Sequence, residues 1–191
     1  MDDKDLRTRI KEVAVAHFND NGYHGTTIRN IAKDVGCSLP MIYYYYSSKK
    51  ELFDEIIKKE FFDLVKRQAA LSKNDDVIDL YTKFIYGLNH LSDYHRKVYR
   101  LGIKVYLTFD GDEELMNLMD EWEKGILPRH REILQPYIQN IPNGEAVVRT
   151  LVHLLETMIE KIVVKNHYLP KDEIREEIAI VLQGIARGGL S

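Results

Sequence analysis

Residues 43–46 are four consecutive tyrosines, and the chemistry that they offer is hydrogen bonding through phenol hydroxyls. Four successive helical positions point around most of the helix circumference, so the four rings cannot all lie in one core. Ile42 and Tyr46 fit an apolar face, which leaves two or three of these tyrosines outside. Exposed hydroxyls in a basic segment that also contains Arg29 and Lys49 suit a phosphate backbone, and we therefore expect polar contacts here.

A second set of polar residues, His153, Glu156 and Glu160, recurs at steps of three and four and so shares one helical face. A metal site in a helical bundle would need Glu-x-x-His motifs on partner helices, and the sequence has none. Solvated or interface charge is therefore favoured, and we predict no metal site. No phosphate-binding loop or nucleophile elbow occurs either, so we expect no catalytic residues, no enzyme activity and no cofactor.

The elements that would position the N-terminal residues are three short helices. Thr26 and Thr27 can cap the second helix, and Gly36 follows it where a left-handed residue is wanted. Ser38 can cap the third helix, with Pro40 in its first turn. Three short helices with a glycine-containing turn between the last two predict a helix-turn-helix, although a helical hairpin inside an ordinary bundle has the same spacing.

The rest of the chain is also predicted to be helical. A capping box at 48–51 opens a long helix whose apolar side contains Leu52, Phe53, Ile56, Ile57, Phe61, Leu64 and Val65. Further helices are predicted near 75–92, 94–108, 113–138, 144–166 and 171–187. Pro128 and Pro136 predict a kink or an early end in the third of these. With no convincing strand, the predicted fold class is all-α with about nine helices.

Composition restricts the partners and the compartment. The 191-residue chain has a net charge of −3, but residues 1–50 carry a local +2 and residues 51–191 a local −5, which weakly favours an anionic partner at the N-terminal end. Cys37 is the only cysteine, so no internal disulfide can form. The charged N-terminus lacks the apolar run of a signal peptide, and no apolar stretch is long enough for a membrane span. We therefore expect a cytoplasmic protein without a membrane partner.

The residues of the helix-turn-helix resemble the signature of TetR-family repressors. The resemblance runs continuously through Phe18, Gly22-Tyr23, Thr26-Thr27-Ile28, Ile31-Ala32, Val35-Gly36-Cys37-Ser38, Ile42-Tyr43, Tyr45-Tyr46 and Lys49-Lys50-Glu51-Leu52. It implies an N-terminal three-helix DNA-binding domain at 1–47 and a helical effector-binding and dimerisation domain at 48–191. The sequence departs from the family at three places, with Cys37 where Val is common, Pro40 where Gly is frequent and Tyr46 where Phe is usual.

The resemblance also implies two kinds of DNA contact. Phosphates would be contacted by Thr27, Tyr43, Tyr45 and Lys49. The major groove would be faced by Arg29, Ser38, Leu39, Pro40, Met41 and Tyr44.

The chemistry of the groove residues suggests what they read. Leu39, Pro40 and Met41 have side chains that cannot hydrogen-bond to bases but can touch thymine methyl groups, which predicts A·T pairs in part of each half-site. Arg29 is the best candidate for bidentate recognition of guanine. Cys37 is more simply explained as a small buried filler than as a redox switch.

Aromatic residues between 75 and 138 have two explanations, namely an effector pocket and ordinary core. The family resemblance favours a pocket for a small hydrophobic or aromatic effector, either a flat or cationic compound or an acyl chain. The candidate effector-binding residues are Tyr81, Phe84, Asn89, Arg100, Ile103, Tyr106, Met119 and Trp122.

The last two predicted helices are strongly apolar on one side, which suits both an internal core and a homodimer interface made of two helices from each subunit. The resemblance implies the dimer, because a two-fold pair of recognition helices reads a palindrome. The candidate interface residues are Leu151, Leu155, Met158, Ile162, Ile178 and Leu182.

These observations together predict a ligand-responsive repressor that binds a palindromic operator in double-stranded DNA as a homodimer. Two alternatives remain open. One is a helix-turn-helix regulator that is controlled by protein partners and binds no small molecule. The other, less favoured, is a helical metal-binding enzyme that uses His153 and Glu156.

Overall fold

A computed structural model describes residues 3–69, 76–108 and 113–187, and these ranges contain helices and turns but no strand. The all-α fold class is thereby confirmed. The helices are α1 (Asp3–Gly25), α2 (Ile28–Val35), α3 (Leu39–Tyr45), α4 (Lys49–Asp54), α5 (Phe62–Ala69), α6 (Val77–Leu88), α7 (Asp93–Thr108), α8 (Glu113–Lys124), α9 (Ile126–Ile138), α10 (Gly144–Ile159) and α11 (Lys171–Arg187). Two π-helical segments occur at Glu55–Phe61 and Glu160–Val164. None of the described helices is long and apolar enough to cross a membrane.

Local capping explains why α2 begins and ends where it does. The Thr27 hydroxyl accepts a hydrogen bond from the Asn30 amide at 3.2 Å and caps α2, as predicted. Gly36 ends α2 in the left-handed conformation, with φ at 74°, and its amide bonds back into the helix. Ser38 has the extended backbone of an N-cap residue, but its side chain makes no capping hydrogen bond, so the prediction that it caps α3 is wrong in this respect. Pro40 lies in the first turn of α3, as predicted.

The first compact unit consists of Met1–Arg67 together with Ser92–Phe109. It therefore reaches beyond the predicted boundary at residues 47 and 48, because α7 packs against α1 and against the π-helical segment Glu55–Phe61. The functional division into 1–47 and 48–191 stays a prediction. Within this unit the Phe61 ring lies against Gly102 of α7, where a Cβ atom would overlap the ring.

The segment Glu55–Phe61 has a π-helical register that follows from the apolar pattern. Ile56 and Ile57 are buried, and the next buried pair, Phe61 and Phe62, comes five residues later. On an α-helix Phe61 would still share a face with Ile57, four residues earlier, but Phe62 would turn away from that face, since the helix repeats every 3.6 residues. Wider π-helical turns keep both pairs on the buried side.

The second compact unit consists of Gln68–Leu91 together with Asp110–Ser191. Inside it, α6 packs against α11, and α10 packs against α9 and α11. The predicted helix 113–138 is divided at Gly125, whose amide closes the end of α8 through the carbonyls of Glu121 and Trp122. The predicted break therefore occurs before the prolines, and Pro136 is accommodated inside α9 near its end.

Candidate nucleic-acid interface

The four tyrosines of residues 43–46 divide between the surface and the core. Tyr44 is 75% exposed and Tyr43 is 49% exposed, whereas Tyr46 is only 1% exposed. Tyr45 is half-buried, and its ring meets the Tyr44 ring edge to face at 5.1 Å. Together with buried Ile42, this arrangement agrees with the expectation that two or three of the tyrosines lie outside.

The N-terminal turn of α3 presents mostly apolar side chains to the outside. Ser38, Pro40 and Met41 are exposed, and Leu39 is half-buried. Exposed apolar groups on a short helix lose water favourably when they meet another apolar group. The turn can therefore provide van der Waals contacts beside the phenol hydroxyls of the same helix.

The start of α2 supplies the other predicted DNA-contacting residues. Thr27 and Arg29 are exposed, and the far end of the helix is held by two contacts to α1. Arg9 donates to the Val35 carbonyl at 2.7 Å, and His17 Nε2 lies 2.7 Å from the Asp34 carboxylate. These contacts attach the C-terminal end of α2 to α1, while Thr27 and Arg29 at its N-terminal end are exposed.

Lys49 is placed differently from the other predicted DNA-contacting residues, because its side chain turns into the protein. Its ammonium donates to the carbonyl oxygens of Tyr23 at 2.8 Å and Thr26 at 2.9 Å. The same nitrogen lies 4.3 Å from the centre of the Tyr23 ring. Burial lowers the pKa of this lysine.

A polar network beneath α3 was not found by sequence reasoning. Arg7 Nη2 donates to both carboxylate oxygens of Glu55, at 3.0 and 2.8 Å, and its Nε donates to the Tyr46 hydroxyl at 3.4 Å. That hydroxyl in turn lies 3.5 Å from Glu55 Oε1. Burial raises the Tyr46 pKa to about 12, so the phenol keeps its proton. The tyrosine that replaces the usual phenylalanine was the available signal for this network.

The network continues toward α7. Lys11 lies 3.9 Å from Glu55 and forms an ion pair with Glu60. Tyr94 of α7 donates its hydroxyl to the other Glu60 oxygen. Burial, followed by the bond to Glu60, raises the pKa of Tyr94. These contacts join α1, the end of α3, the π-helical segment and α7 within the first unit.

The predicted effector-binding residues belong to both units. Arg100, Ile103 and Tyr106 are half-buried on α7 of the first unit. In the second unit, Tyr81 and Met119 are buried, and Phe84, Asn89 and Trp122 are half-buried.

Two polar groups of this set have partners inside the second unit. The Tyr81 hydroxyl lies 2.8 Å from His130 Nδ1, and burial lowers the His130 pKa to about 4. Asn89 donates to the Leu169 carbonyl at 2.8 Å and accepts from the Leu169 amide at 3.2 Å. The pair of Tyr81 and His130 is therefore uncharged near neutral pH.

A separate groove of about 370 Å³ lies in the second unit, and none of the predicted effector residues lines it. Its walls are formed by Asp76, Val77, Ile78, Tyr137, Ile141, Leu182 and Gln183.

The six residues predicted for the dimer interface lie inside the protomer core. They are Leu151, Leu155, Met158, Ile162, Ile178 and Leu182, and all are buried without a partner chain. The apolar stripe that suggested an interface is thus used to pack α10 and α11 onto their own unit. A dimer through these helices would use their outward faces, which carry Thr150, His153 and Thr157 on α10 and the 62% exposed Ile180 on α11.

His153, Glu156 and Glu160 are exposed, and Glu160 lies 3.0 Å from Lys165. Within the described ranges no group of three or more His, Cys, Asp or Glu side chains is placed to hold a metal ion.

Comparison with known proteins agrees with the architecture of the N-terminal helices. Residues 10–56 match the family model of bacterial regulatory proteins of the tetR family. The chain is 23% identical over 103 residues to the biofilm operon icaADBC HTH-type negative transcriptional regulator IcaR of Staphylococcus aureus (strain NCTC 8325 / PS 47), which covers 54% of this chain and 55% of that protein. It is 34% identical over 94 residues to the HTH-type transcriptional repressor SCO4008 of Streptomyces coelicolor, covering 49% and 44% of the two chains. Both matches span about half the length of the relative.

The fold is similar over nearly the whole chain to that of a TetR-like transcriptional regulator from Rhodococcus sp. RHA1. The TM-score is 0.73 at 19% sequence identity, and the superposition covers 98% of this chain and 100% of the other. The comparisons therefore return transcriptional regulators rather than enzymes.

Proposed function

Because residues 10–56 match the family model of bacterial regulatory proteins of the tetR family and the fold is similar to that of a TetR-like regulator, we propose that the chain is a ligand-responsive repressor that binds a palindromic operator as a homodimer. The observation that carries this proposal is the outward face of α3. That face combines exposed Pro40 and Met41 with the hydroxyls of Tyr43 and Tyr44 on a single seven-residue helix. Apolar contacts can read thymine methyl groups while hydroxyls bind phosphates.

Arg29 extends this surface onto the start of α2. Its guanidinium presents a planar fork of donors that matches the O6 and N7 acceptors of guanine. Thr27 and Tyr45 complete the proposed phosphate contacts, and neither would carry sequence information. Specificity is therefore assigned to Arg29, the first turn of α3 and Tyr44, and the register on DNA to the hydroxyl groups of Thr27, Tyr43 and Tyr45.

The homodimer supplies a second copy of α3, which binds the second half of the operator. Helix α3 has seven residues, so one copy touches only a few base pairs, and a two-fold pair doubles the contacts. We assign the interface to the outward faces of α10 and α11, with Ile180 as its apolar centre. The buried residues of these two helices, such as Leu151 and Ile178, pack within the protomer and so hold the outward faces in place.

Control by an effector is assigned to the region of residues 75–138. The uncharged Tyr81–His130 pair suits an effector that is itself uncharged and apolar or aromatic. Coupling of about 1–3 kcal/mol would lower operator affinity by roughly 5–150-fold, and operator would weaken effector binding by the same factor.

The alternative is a regulator that responds to a protein partner. One observation favours it, because Asn89 and Tyr81 already bond to Leu169 and His130 within the unit. Adding candidate effectors to a preformed operator complex and measuring release of the DNA distinguishes the two hypotheses. Release by a small molecule supports the primary proposal, and release only by a protein fraction supports the alternative.

The DNA-binding proposal is tested by titrating the protein against duplexes from the region upstream of its own gene, using fluorescence anisotropy at several salt concentrations. We expect tight binding to one palindromic segment at two chains per site, with affinity that falls steeply as salt rises. Equal and weak binding to every duplex would contradict the proposed specificity. Absence of binding at low salt would contradict DNA binding itself.

A further inference from the structure

Lys49 is the first residue of α4, yet its ammonium lies at the bend that connects α1 to α2. We call this bend, from Gly22 to Thr27, the α1–α2 corner. Two carbonyl oxygens, of Tyr23 and Thr26, lie within 2.8 and 2.9 Å of this one nitrogen. The Tyr23 ring covers the same nitrogen at 4.3 Å. An ammonium has three donor hydrogens, so most of its capacity is used inside the protein.

The corner that Lys49 contacts decides where α2 begins. Gly22 bends the end of α1 with a positive φ of 69°, and Thr26 is buried beneath the bend. The Thr26 hydroxyl donates to the carbonyls of Gly22 at 2.7 Å and His17 at 3.0 Å. Thr27 follows directly as the N-cap of α2, and Arg29 lies in its first turn. A shift of this corner therefore moves both proposed DNA contacts of α2.

Charge-assisted hydrogen bonds to backbone carbonyls are stronger than neutral ones, and a cation over an aromatic face gains further attraction when partly desolvated. The two carbonyls and the face of the Tyr23 ring occupy the three donor directions of the ammonium, so a phosphate would have to displace at least one of them. Displacing a carbonyl would leave that oxygen without its charged donor. The contacts within the protein are therefore expected to persist when DNA binds.

We propose that Lys49 is a positioning residue, whose ammonium holds the α1–α2 corner and so places Thr27 and Arg29, and that it does not neutralise a DNA phosphate. This inference rests on the proposed DNA-binding function. It assigns Lys49 a different task from the phosphate contact that the family resemblance implies.

Lys50 provides a matched control in the same helical turn. Its side chain is exposed, and its ammonium lies 2.6 Å from the Asp54 carboxylate on α4. Lys50→Met therefore removes one positive charge next to the site without touching the α1–α2 corner. Lys49→Met removes the charge together with the three contacts, while it keeps an unbranched side chain of similar length.

The test compares the salt dependence of operator binding for the wild type, Lys49→Met and Lys50→Met, and measures the thermal midpoint of each free protein. We expect Lys49→Met to bind about tenfold more weakly at every salt concentration, giving a log–log plot parallel to that of the wild type. Its midpoint should fall by about 2–4 °C, whereas that of Lys50→Met should change by about 1 °C or less.

A phosphate contact gives a different result. Each phosphate that is no longer neutralised lowers the slope by about 0.9, so a dimer that loses one from each protomer would show a slope lower by about 1.8. That change in Lys49→Met, with an unaltered midpoint, would overturn the inference.

Lys49→Arg serves as the second variant if Lys49→Met does not fold. It keeps the charge for a phosphate, but its larger head group does not fit two carbonyls that converge on one nitrogen. We expect weakened binding with an unchanged slope, and wild-type affinity would overturn the inference. If the wild type binds no duplex, the proposed function fails, and the midpoints still decide whether Lys49 stabilises the corner.

Discussion

The outward face of α3 and the outward face of α10 expose opposite kinds of side chain. Helix α3 presents Pro40, Met41 and Tyr44, which are apolar or aromatic. Helix α10 presents threonine, histidine and glutamate, while its apolar residues are already buried in the protomer. An exposed aromatic and apolar turn is unusual enough to indicate a binding surface, whereas a polar helix face is stable in water by itself. The chemistry of α3 therefore points to its partner more directly than that of α10.

Apolar periodicity identifies a buried face, but it does not identify what buries it. Leu151 of α10 and Ile178 of α11 each belong to an apolar stripe with helical spacing. Both are 0% exposed in the single chain, so packing within the protomer explains the two stripes. Ile180 is 62% exposed although it belongs to the same helix as Ile178. Substitutions at buried and at exposed positions of α10 and α11 should therefore have different effects, on stability in the first case and on dimerisation in the second.

The largest effect is expected for Leu151→Ala. Removing this buried side chain should lower the free energy of unfolding by about 3 kcal/mol, because it leaves a cavity in the protomer core. Urea denaturation at several protein concentrations measures the loss, and Thr150→Ala on the exposed side should change it by less than about 0.5 kcal/mol. A variant of normal stability that no longer dimerises would instead place Leu151 at the interface.

Ile180→Asp should act on assembly rather than on folding of the protomer. A charge at the centre of the proposed interface should weaken the dimer by about 2 kcal/mol, or roughly 30-fold, as measured by analytical ultracentrifugation. Ile180→Val keeps an apolar side chain and should dimerise nearly as the wild type does. A dimer that Ile180→Asp leaves unaffected would show that α11 does not form the interface through this face.

On the DNA-binding side, Arg29→Ala and Tyr43→Phe should separate reading from positioning. Arg29→Ala should lose about 1–3 kcal/mol at one or two base pairs and relax the preference there. Tyr43→Phe should weaken every duplex by a similar amount, about 1 kcal/mol. Binding to a panel of single-base variants of the operator measures both. The assignment of roles is wrong if the two substitutions change the preference in the same way.

The smallest effect is expected for Tyr46→Phe, which removes one hydroxyl beneath α3. Its contacts to Arg7 and Glu55 are long, at 3.4 and 3.5 Å, so operator affinity should fall by about twofold to threefold. A double-mutant cycle with Glu55→Gln measures the coupling. Strictly additive effects would show that the hydroxyl does not connect the end of α3 to Glu55.

Much of the N-terminal fold was predictable because its signals are local. Thr27 and Gly36 have side-chain and backbone requirements that few other residues meet, and both cap α2 as predicted. The capping box differs in one detail. The Glu51 amide donates to the Ser48 hydroxyl, but the Glu51 carboxylate accepts from the Ser47 amide and hydroxyl rather than from Ser48.

Other features depend on tertiary contacts and could not be predicted in the same way. A lysine at position 49 has the same helical propensity whether its ammonium meets a phosphate or the carbonyls of Tyr23 and Thr26. The π-helical segment is an intermediate case, since the five-residue step from Ile56 and Ile57 to Phe61 and Phe62 is visible in the sequence. Whether Phe61 can be buried there depends on α7, where Gly102 leaves space for the Phe61 ring.

The central claim is that the outward face of α3 contacts operator DNA, and side-chain oxidation by hydroxyl radicals with mass spectrometry tests it most directly. In the free protein Met41, Tyr43 and Tyr44 should all be oxidised, since each is exposed. Operator, but not a scrambled duplex at the same concentration and salt, should protect these three residues, while exposed Met116 of α8 keeps its rate. Unchanged oxidation of Met41, Tyr43 and Tyr44 in a saturated operator complex would contradict the account.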